Sequence, residues 1–293
     1  MRHAWALGLV FVTAVTATVA HAAEVWDMLG RSVSVPERVT RVVSLAPSLT
    51  ETVYAIGAED QLIGVSEFCD FPPAALEKPK VGGIYTPNFE AILSLKPDLV
   101  LATTEGNREE DVRRLANLGM AVYLVRPIDL TTILESIERL GRLLGRVAEA
   151  RRLVGAMQDQ ADAIAHAVEG AERPRVLYVL WGNPLIVPGR DTVMTDLIRR
   201  AGGNSVTGQE PLSYPRFSME EALVRQPDWV VLAHRGPTSV DQLLREWPQL
   251  TLLPSVRRGR VALIEADLVH KPGPRVIEGL RMLARLLHPE RVK

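Results

Sequence analysis

Glu90-Ala-Ile-Leu-Ser-Leu-Lys-Pro97-Asp98-Leu-Val-Leu101 is answered later in the chain by Glu220-Glu-Ala-Leu-Val-Arg-Gln-Pro227-Asp228-Trp-Val-Val231. Glu90 and Glu220, Leu93 and Leu223, Pro97 and Pro227, Asp98 and Asp228, and Val100 and Val230 are all 130 positions apart (220 − 90, 227 − 97), so five matches share one register. Each copy reads as the end of a helix, a Pro-Asp turn and an apolar strand, because proline cannot continue a helix and a short β-branched run follows it. The chain therefore carries two similar α/β lobes, and two lobes make a cleft.

Working back from the first copy, Arg41-Val-Val-Ser-Leu45 reads as a strand, and Ala46-Pro47-Ser48-Leu-Thr50-Glu51 as the turn into a helix over 52–56. Ser48 or Thr50 is expected to cap that helix, with Glu51 in the first turn, where the backbone dipole favours an acid. Gly57 supplies a left-handed stop, and Leu62-Ile-Gly-Val-Ser66 resumes as a strand. After the repeat come the loop Thr104-Glu105-Gly106-Asn107, a helix over 108–118 and a strand over 122–125. Such alternation predicts a parallel sheet covered on both faces. Ligands of these sheets sit at the carboxyl ends of the strands, where the loops 67–73 and 82–88, rich in proline and glycine, also fall.

From Leu130 to Val168 the pattern is helical. Ile133, Leu134, Ile137, Leu140, Leu143 and Leu144 form one apolar stripe, Gly145 breaks it, and a second helix over 146–168 follows. At the rise of an α-helix that second segment is about 35 Å long, enough to run the height of a domain. Arg175-Val-Leu-Tyr-Val-Leu180 then repeats the opening strand, and Leu212-Ser-Tyr214-Pro215-Arg216-Phe217 takes the place of 84–88. A strand over 229–233 runs into His234-Arg235-Gly236, a strand over 260–264 into a loop over 265–274, and a helix over 275–287 ends the chain. The expected organisation is a signal peptide over 1–22, a first lobe over 23–145, a connecting helix over 146–170 and a second lobe over 171–293.

The amino end supports the first of these divisions. Arg2 and His3 precede an apolar run from Ala4 to Ala20, and Ala20-His21-Ala22 is a small-x-small cleavage site. A membrane anchor fits less well, since the run is short for a span, rich in threonine and followed by no basic stop. Cys69, the one cysteine, can form no internal disulfide, so packing must hold an exported protein together. A chain of 293 residues, 47% of them hydrophobic, can fill two cores of ordinary size. The net charge of −1, with both signs spread along the chain, leaves no footprint for nucleic acid or an anionic membrane.

Enzyme motifs find no match. Gly-x-Ser-x-Gly, the phosphate-cradling Gly-x-x-x-x-Gly-Lys-Ser/Thr and a Gly-x-Gly-x-x-Gly after either opening strand are all missing. Cys69 stands beside Asp70, whose charge would raise the thiol pKa, so it reads as a packing residue and not a nucleophile. His166, His234, His270 and His288 are dispersed and show no metal-ligand spacing. His166 and His288 are expected on helix surfaces, whereas His234 and His270 follow strands at the cleft end and are open to either ligand contact or loop packing.

With these elements in place, the chain resembles the periplasmic substrate-binding proteins of ABC importers whose lobes are joined by a rigid helix, the cobalamin, ferric-siderophore and haem group. The resemblance covers nearly all of the mature chain. It rests on Val42-Val-Ser-Leu-Ala-Pro-Ser-Leu-Thr-Glu51, on Val81-Gly-Gly-Ile-Tyr-Thr-Pro-Asn-Phe-Glu90 with Leu95-Lys-Pro-Asp-Leu-Val100, and on Trp181-Gly182 with Ala201-Gly-Gly-Asn204. Tyr214-Pro-Arg-Phe-Ser218 and Pro274-Arg275 make the cobalamin-binding members the nearest. The resemblance implies a monomeric transport receptor with no catalytic cofactor, docking on the importer's membrane permease through one acid per lobe. Those acids match Glu90 and Glu220, with Glu221 beside the latter leaving a second choice.

For the ligand, Pro47, Phe68, Tyr85, Trp181, Tyr214, Phe217 and Arg275 fall in loops at the strand ends, where flat apolar side chains can sandwich a large ring. Glu105, His234, Asp267 and His270 are the candidate polar contacts. A haem site would use an axial tyrosine or histidine, and Tyr85 and His270 lack the usual context for it. A siderophore would call on several arginines, for which Arg216, Arg235 and Arg275 are available. Corrinoid is therefore expected first, ferric siderophore second and haem third.

Overall fold

The computed structural model describes residues 22–292, so the leader expected over 1–22 lies, apart from Ala22, outside the described residues. An antiparallel hairpin of β1 (Ala22–Trp26) and β2 (Ser32–Pro36) opens the first lobe. It is followed by β3 (Val42–Ser44), α1 (Pro47–Ala55), β4 (Leu62–Val65), α2 (Phe89–Ser94), β5 (Leu99–Thr103), α3 (Glu109–Asn117) and β6 (Val122–Val125). Two helices, α4 (Leu130–Leu143) and α5 (Val147–Ala167), lead to the second lobe. There β7 (Arg175–Val179), the small hairpin of β8 (Trp181–Gly182) and β9 (Leu185–Ile186), α6 (Val193–Arg200), β10 (Asn204–Ser205), α7 (Met219–Arg225) and β11 (Trp229–His234) come first. Helices α8 (Val240–Glu246) and α9 (Pro254–Arg257), then β12 (Val261–Glu265), α10 (Ala266–Val269) and α11 (Val276–Leu287), complete it.

The repeat in the sequence is a repeat in topology. One sheet runs β4-β3-β5-β6 and the other β10-β7-β11-β12, with all neighbours parallel, so each lobe places its opening strand second and flanks it with the strand of the repeat. The two aspartates do the same work in both. Asp98 accepts the backbone N–H groups of Thr40 and Arg41 at 2.9 Å each, and Asp228 accepts that of Arg175 at 2.8 Å, so each carboxylate pins the start of the opening strand to the start of its neighbour. Lys96 and Gln226, which precede the two prolines, both adopt a left-handed backbone, with φ of 47° and 46°. A left-handed residue just past a helix ends it, and here it turns the chain from helix toward strand.

A continuous apolar core joins the lobes through the connecting helices. It includes Val42, Leu99 and Leu101 of the first sheet, Ile133, Ile137 and Leu140 of α4, Met157, Ala161 and Ile164 of α5, and Leu197, Leu280 and Leu283 of the second lobe. Fully burying an aliphatic side chain of this kind stabilises by about 1.5–3 kcal/mol, so the connector is held by packing along its length and does not hang as a tether. Helix α5 contacts α4, α6 and α11, and α4 crosses it closely at Gly141, where a Cβ would come within 2.3 Å of the Ala150 Cβ. The N–H of Leu130 at the head of α4 donates to Asp196 of α6 at 3.0 Å, and Arg199 and Arg200 pair with the same carboxylate. Burial works against ionisation of Asp196, but these partners outweigh it and hold its carboxyl below the usual range.

Two local expectations are corrected. Helix α1 begins at Pro47 after Ala46, with no side chain capping it. Thr50 instead turns inward, its hydroxyl 2.8 Å from Ser44 Oγ and 3.1 Å from Cys69 Sγ, and Glu51 is buried against the other lobe. His288 is buried rather than solvated, with Nε2 3.2 Å from the Gly202 carbonyl, because α11 lays its carboxyl end on the turn after α6.

Candidate ligand-binding cleft

A cavity of about 850 Å3 lies between the lobes at the carboxyl ends of the strands of both sheets. From the first lobe it is bordered by Pro47 after β3, Glu105 after β5, and Phe68 and Tyr85 from the intervening loops. From the second it is bordered by Leu180 after β7, Tyr214, Arg235 after β11, and Asp267, His270 and Lys271 after β12. Phe68 and Tyr85 are 49% and 62% exposed, so their rings are open to a ligand rather than spent on the core. One side chain ties the first wall together. Asn107 Nδ2 donates to the carbonyls of Leu45 and Ile84, at 3.3 and 3.1 Å, while its Oδ1 accepts the Thr103 N–H at 2.9 Å, so three loops share a single amide.

Polar contacts cross from lobe to lobe. Tyr214 Oη donates to Glu105 Oε2 at 2.7 Å across the cleft. Burial raises the Glu105 pKa, with the Tyr214 hydrogen bond and the charge of Arg126 pulling the other way, and burial together with Glu105 raises that of the phenol. Lys271 bridges Asp70 of the first lobe and Asp267 of the second, at 2.7 and 2.8 Å. Burial opposes the charge on Asp70, yet Lys271 prevails and keeps the carboxyl below its ordinary range. Arg275 forms a two-pronged pair with Glu51 and lies 4.1 Å from the centre of the Phe71 ring.

The cavity is electrically balanced. Its cations are Arg108, Arg235 and Lys271, and its carboxylates are Asp70, Glu105 and Asp267. Arg108 is paired with Glu110 and Asp111, Arg235 with Asp267, and Lys271 with Asp70 and Asp267. His270 adds no charge near neutrality. Its Nε2 lies 2.8 Å from the hydroxyl of buried Tyr178, and desolvation, helped by Arg235, lowers its pKa to about 4. Among the described residues no cluster of three or more His, Cys, Asp or Glu side chains could hold a metal ion.

A family model described as periplasmic binding protein matches residues 42–268, which takes in both sheets, the connector and all of the cleft lining but Val269, His270, Lys271 and Pro272. The chain belongs to that family. It is a family of binding components of ABC importers rather than of enzymes. A vitamin B12-binding protein of Vibrio parahaemolyticus is 30% identical over 244 residues, 83% of this chain and 88% of that protein. Among solved structures, the periplasmic vitamin B12-binding protein of Vibrio cholerae superposes with a TM-score of 0.77 at 28% identity, covering 86% of this chain and 97% of that one. A periplasmic haem-binding protein of Pseudomonas aeruginosa gives 0.75 at 30% identity, with 86% and 94% covered.

In this periplasmic binding protein the remaining expected site residues fall elsewhere. Trp181 and His234 border a smaller adjoining cavity of about 450 Å3 in the second lobe. Phe217 is buried in the outer core of that lobe with Leu185, Val187 and Trp247, because its backbone N–H donates to Leu185 and draws the ring under the small hairpin. Arg275 is taken up by Glu51, so neither Phe217 nor Arg275 borders the cleft cavity. Glu90 and Glu220 are exposed in the first turns of α2 and α7. Ser218 and Glu221 form a reciprocal cap on α7, which separates the role of Glu221 from that of Glu220. The roles of Asn107, Glu51, Asp70 and Lys271 at the cleft and the lobe boundary are not marked in the sequence. Their partners lie far along the chain, 201 positions for Asp70 with Lys271 and 224 for Glu51 with Arg275, and no local pattern marks such pairs.

Proposed function

We propose that this protein is an exported receptor that captures a corrinoid, with cobalamin as the expected form, and delivers it to an inner-membrane ABC importer. The observation that carries the ligand class is the balanced cleft: broad flat side chains on both walls and cations already matched by carboxylates. A corrinoid rimmed by neutral amides loses little on entering such a space, whereas the carboxylates of haem or the anionic groups of a ferric siderophore would need cations released from their partners. The vitamin B12-binding names of its relatives agree with this ligand. Haem is the second reading, favoured by the exposed Tyr85 on the first wall and by the haem-binding neighbour of similar identity.

Glu90 and Glu220 are proposed as the docking acids, one on each lobe and both free of the capping that engages Glu221. The working frame is a first lobe over 23–145, a connector over 146–170 and a second lobe over 171–293, acting as a monomer after removal of a leader ending near Ala22. The shared core through α5 supports binding with little closure.

Mixing the purified protein with cyanocobalamin, haemin and a ferric siderophore, and following thermal shift with absorption spectra, separates the ligands. A corrinoid receptor gains stability with cyanocobalamin alone. A Soret band with a thermal shift for haemin, and none for cyanocobalamin, would transfer the assignment to haem.

A further inference from the structure

Counted by sign the cleft is balanced, but counted by partner it is not. Lys271 takes Asp70 and Asp267, and Arg235 takes Asp267, all within the lining. Arg108 pairs with Glu110 and Asp111 of α3, neither of which borders the cavity. Glu105 is therefore the cleft carboxylate whose partner, among the described residues, is not a cation. Its Oε2 accepts the neutral Tyr214 hydroxyl at 2.7 Å, and Arg126 favours its charge without forming an ion pair.

The loop that carries Glu105 is fixed on both sides. The Glu105 N–H donates to Thr103 Oγ1 at 3.2 Å, and Asn107 ties the following turn to the carbonyls of Leu45 and Ile84. Between them Gly106 adopts a φ of 138°, and a Cβ there would lie 2.8 Å from Ile84 Cγ2. Glycine alone lets the loop take this turn and press on the neighbouring segment. The carboxylate is thereby kept at the cavity wall.

Such a group discriminates by sign. An ionised carboxylate accepts hydrogen bonds and donates none, so it suits the N–H of a neutral amide. An acid in the amide's place brings a second negative charge into a half-enclosed space where water screens less than in bulk, and meets no free cation to offset it. Amide and acid are nearly equal in shape, so the apolar walls cannot tell them apart.

Resting on the corrinoid reading, we infer that Glu105 is a charge filter that makes the receptor select corrinoids with amidated side chains over those with free carboxylates. The flat walls admit the ring, and repulsion from this one residue decides which rim chemistry is tolerated.

Calorimetric titration with cyanocobalamin and, one at a time, with its monocarboxylic acids, each with one peripheral amide hydrolysed, tests this. The titrations are run well above the carboxylate range, so that Glu105 is ionised although burial raises its pKa. In the wild type at least one acid should bind about tenfold or more weakly than cyanocobalamin. Glu105→Gln and Glu105→Ala should each bring the ratio of those two affinities to within about threefold, because both remove the charge. Equal wild-type affinities for cyanocobalamin and every acid, or a ratio that survives in either Glu105 variant, would overturn the filter while leaving the corrinoid reading in place. Binding of neither cyanocobalamin nor any of the acids by the wild type would overturn that reading itself.

Discussion

Arg275 donates to both carboxylate oxygens of Glu51, Nε to Oε2 at 2.8 Å and Nη2 to Oε1 at 2.6 Å, from a loop of the second lobe into a helix of the first. The side chains are 18% and 2% exposed, so the pair closes the lobe boundary away from water. Burial raises the Glu51 pKa and Arg275 opposes it. Removing one partner of such a pair strands the other, which costs about 3–5 kcal/mol, whereas replacing both by apolar groups of similar volume can be neutral. Arg275→Met should therefore destabilise strongly in urea, and Glu51→Leu combined with it should restore much of the loss. A cost below about 1 kcal/mol for Arg275→Met would show that the pair does not hold the lobes.

His270 makes stability depend on pH. With its folded pKa lowered from 6.5 to about 4, the unfolded chain takes up the proton more readily. Stability from this group is present above pH 6.5 and is lost as pH falls through about 4. The full contribution is about 2–3 kcal/mol after allowing for partial exposure of the ring. Asp70 and Asp196, whose carboxyls are lowered, lose their contributions only below the ordinary aspartate value of 3.8, so the windows are separate. Glu51 and Glu105, whose carboxyls are raised, act in the opposite sense over part of this range, so urea midpoints measured from pH 7.5 to 4.5 should fall more in the wild type than in His270→Gln. An equal fall in both would place the titration elsewhere.

Much of this architecture is legible in the sequence because the repeat is local. Pro97-Asp98 and Pro227-Asp228 each announce a helix stop and a strand start, and the structure uses both aspartates to pin the same strand pair. The stripe from Ile133 to Leu144 likewise announces a helix, since its spacing carries the information whatever it packs on. Glu51 shows where such inference stops. An acid in a first turn looks like a dipole partner, and only the return of the chain at Arg275 gives it a different role. Phe217 and Trp181 are similar loop aromatics in the sequence, and the small hairpin at Trp181–Gly182 buries one while leaving the other exposed.

Docking can be separated from helix stability on α7. Glu220→Ala combined with Glu90→Ala should abolish uptake of the ligand by cells while leaving the affinity of the purified receptor within about twofold. Glu221→Ala removes one half of the reciprocal cap and should lower stability by less than the roughly 1 kcal/mol that a whole cap contributes, with uptake retained. Uptake unchanged in the double variant would exclude these acids as the docking points.

The cleft aromatics should differ in weight. Tyr85 presents its ring to the cavity, and losing a stacking surface costs about 0.5–1.5 kcal/mol beyond the lost apolar area. Tyr85→Ala should weaken corrinoid binding at least tenfold. Tyr214→Phe keeps the ring and removes only the bond to Glu105, so its affinity should stay within about threefold of wild type. Titrations of the two variants check the contrast, and an unaffected Tyr85→Ala would remove that residue from the ligand contacts.

The most direct test is isothermal titration of the purified mature protein with cyanocobalamin, at low and at moderate salt. One molecule should bind per chain, with an affinity that changes little between the two salts because the contacts are apolar and the charges of the cleft are already paired. An absence of binding heat at both salts and at more than one temperature, together with an unshifted melting temperature, would contradict capture of a corrinoid between the lobes.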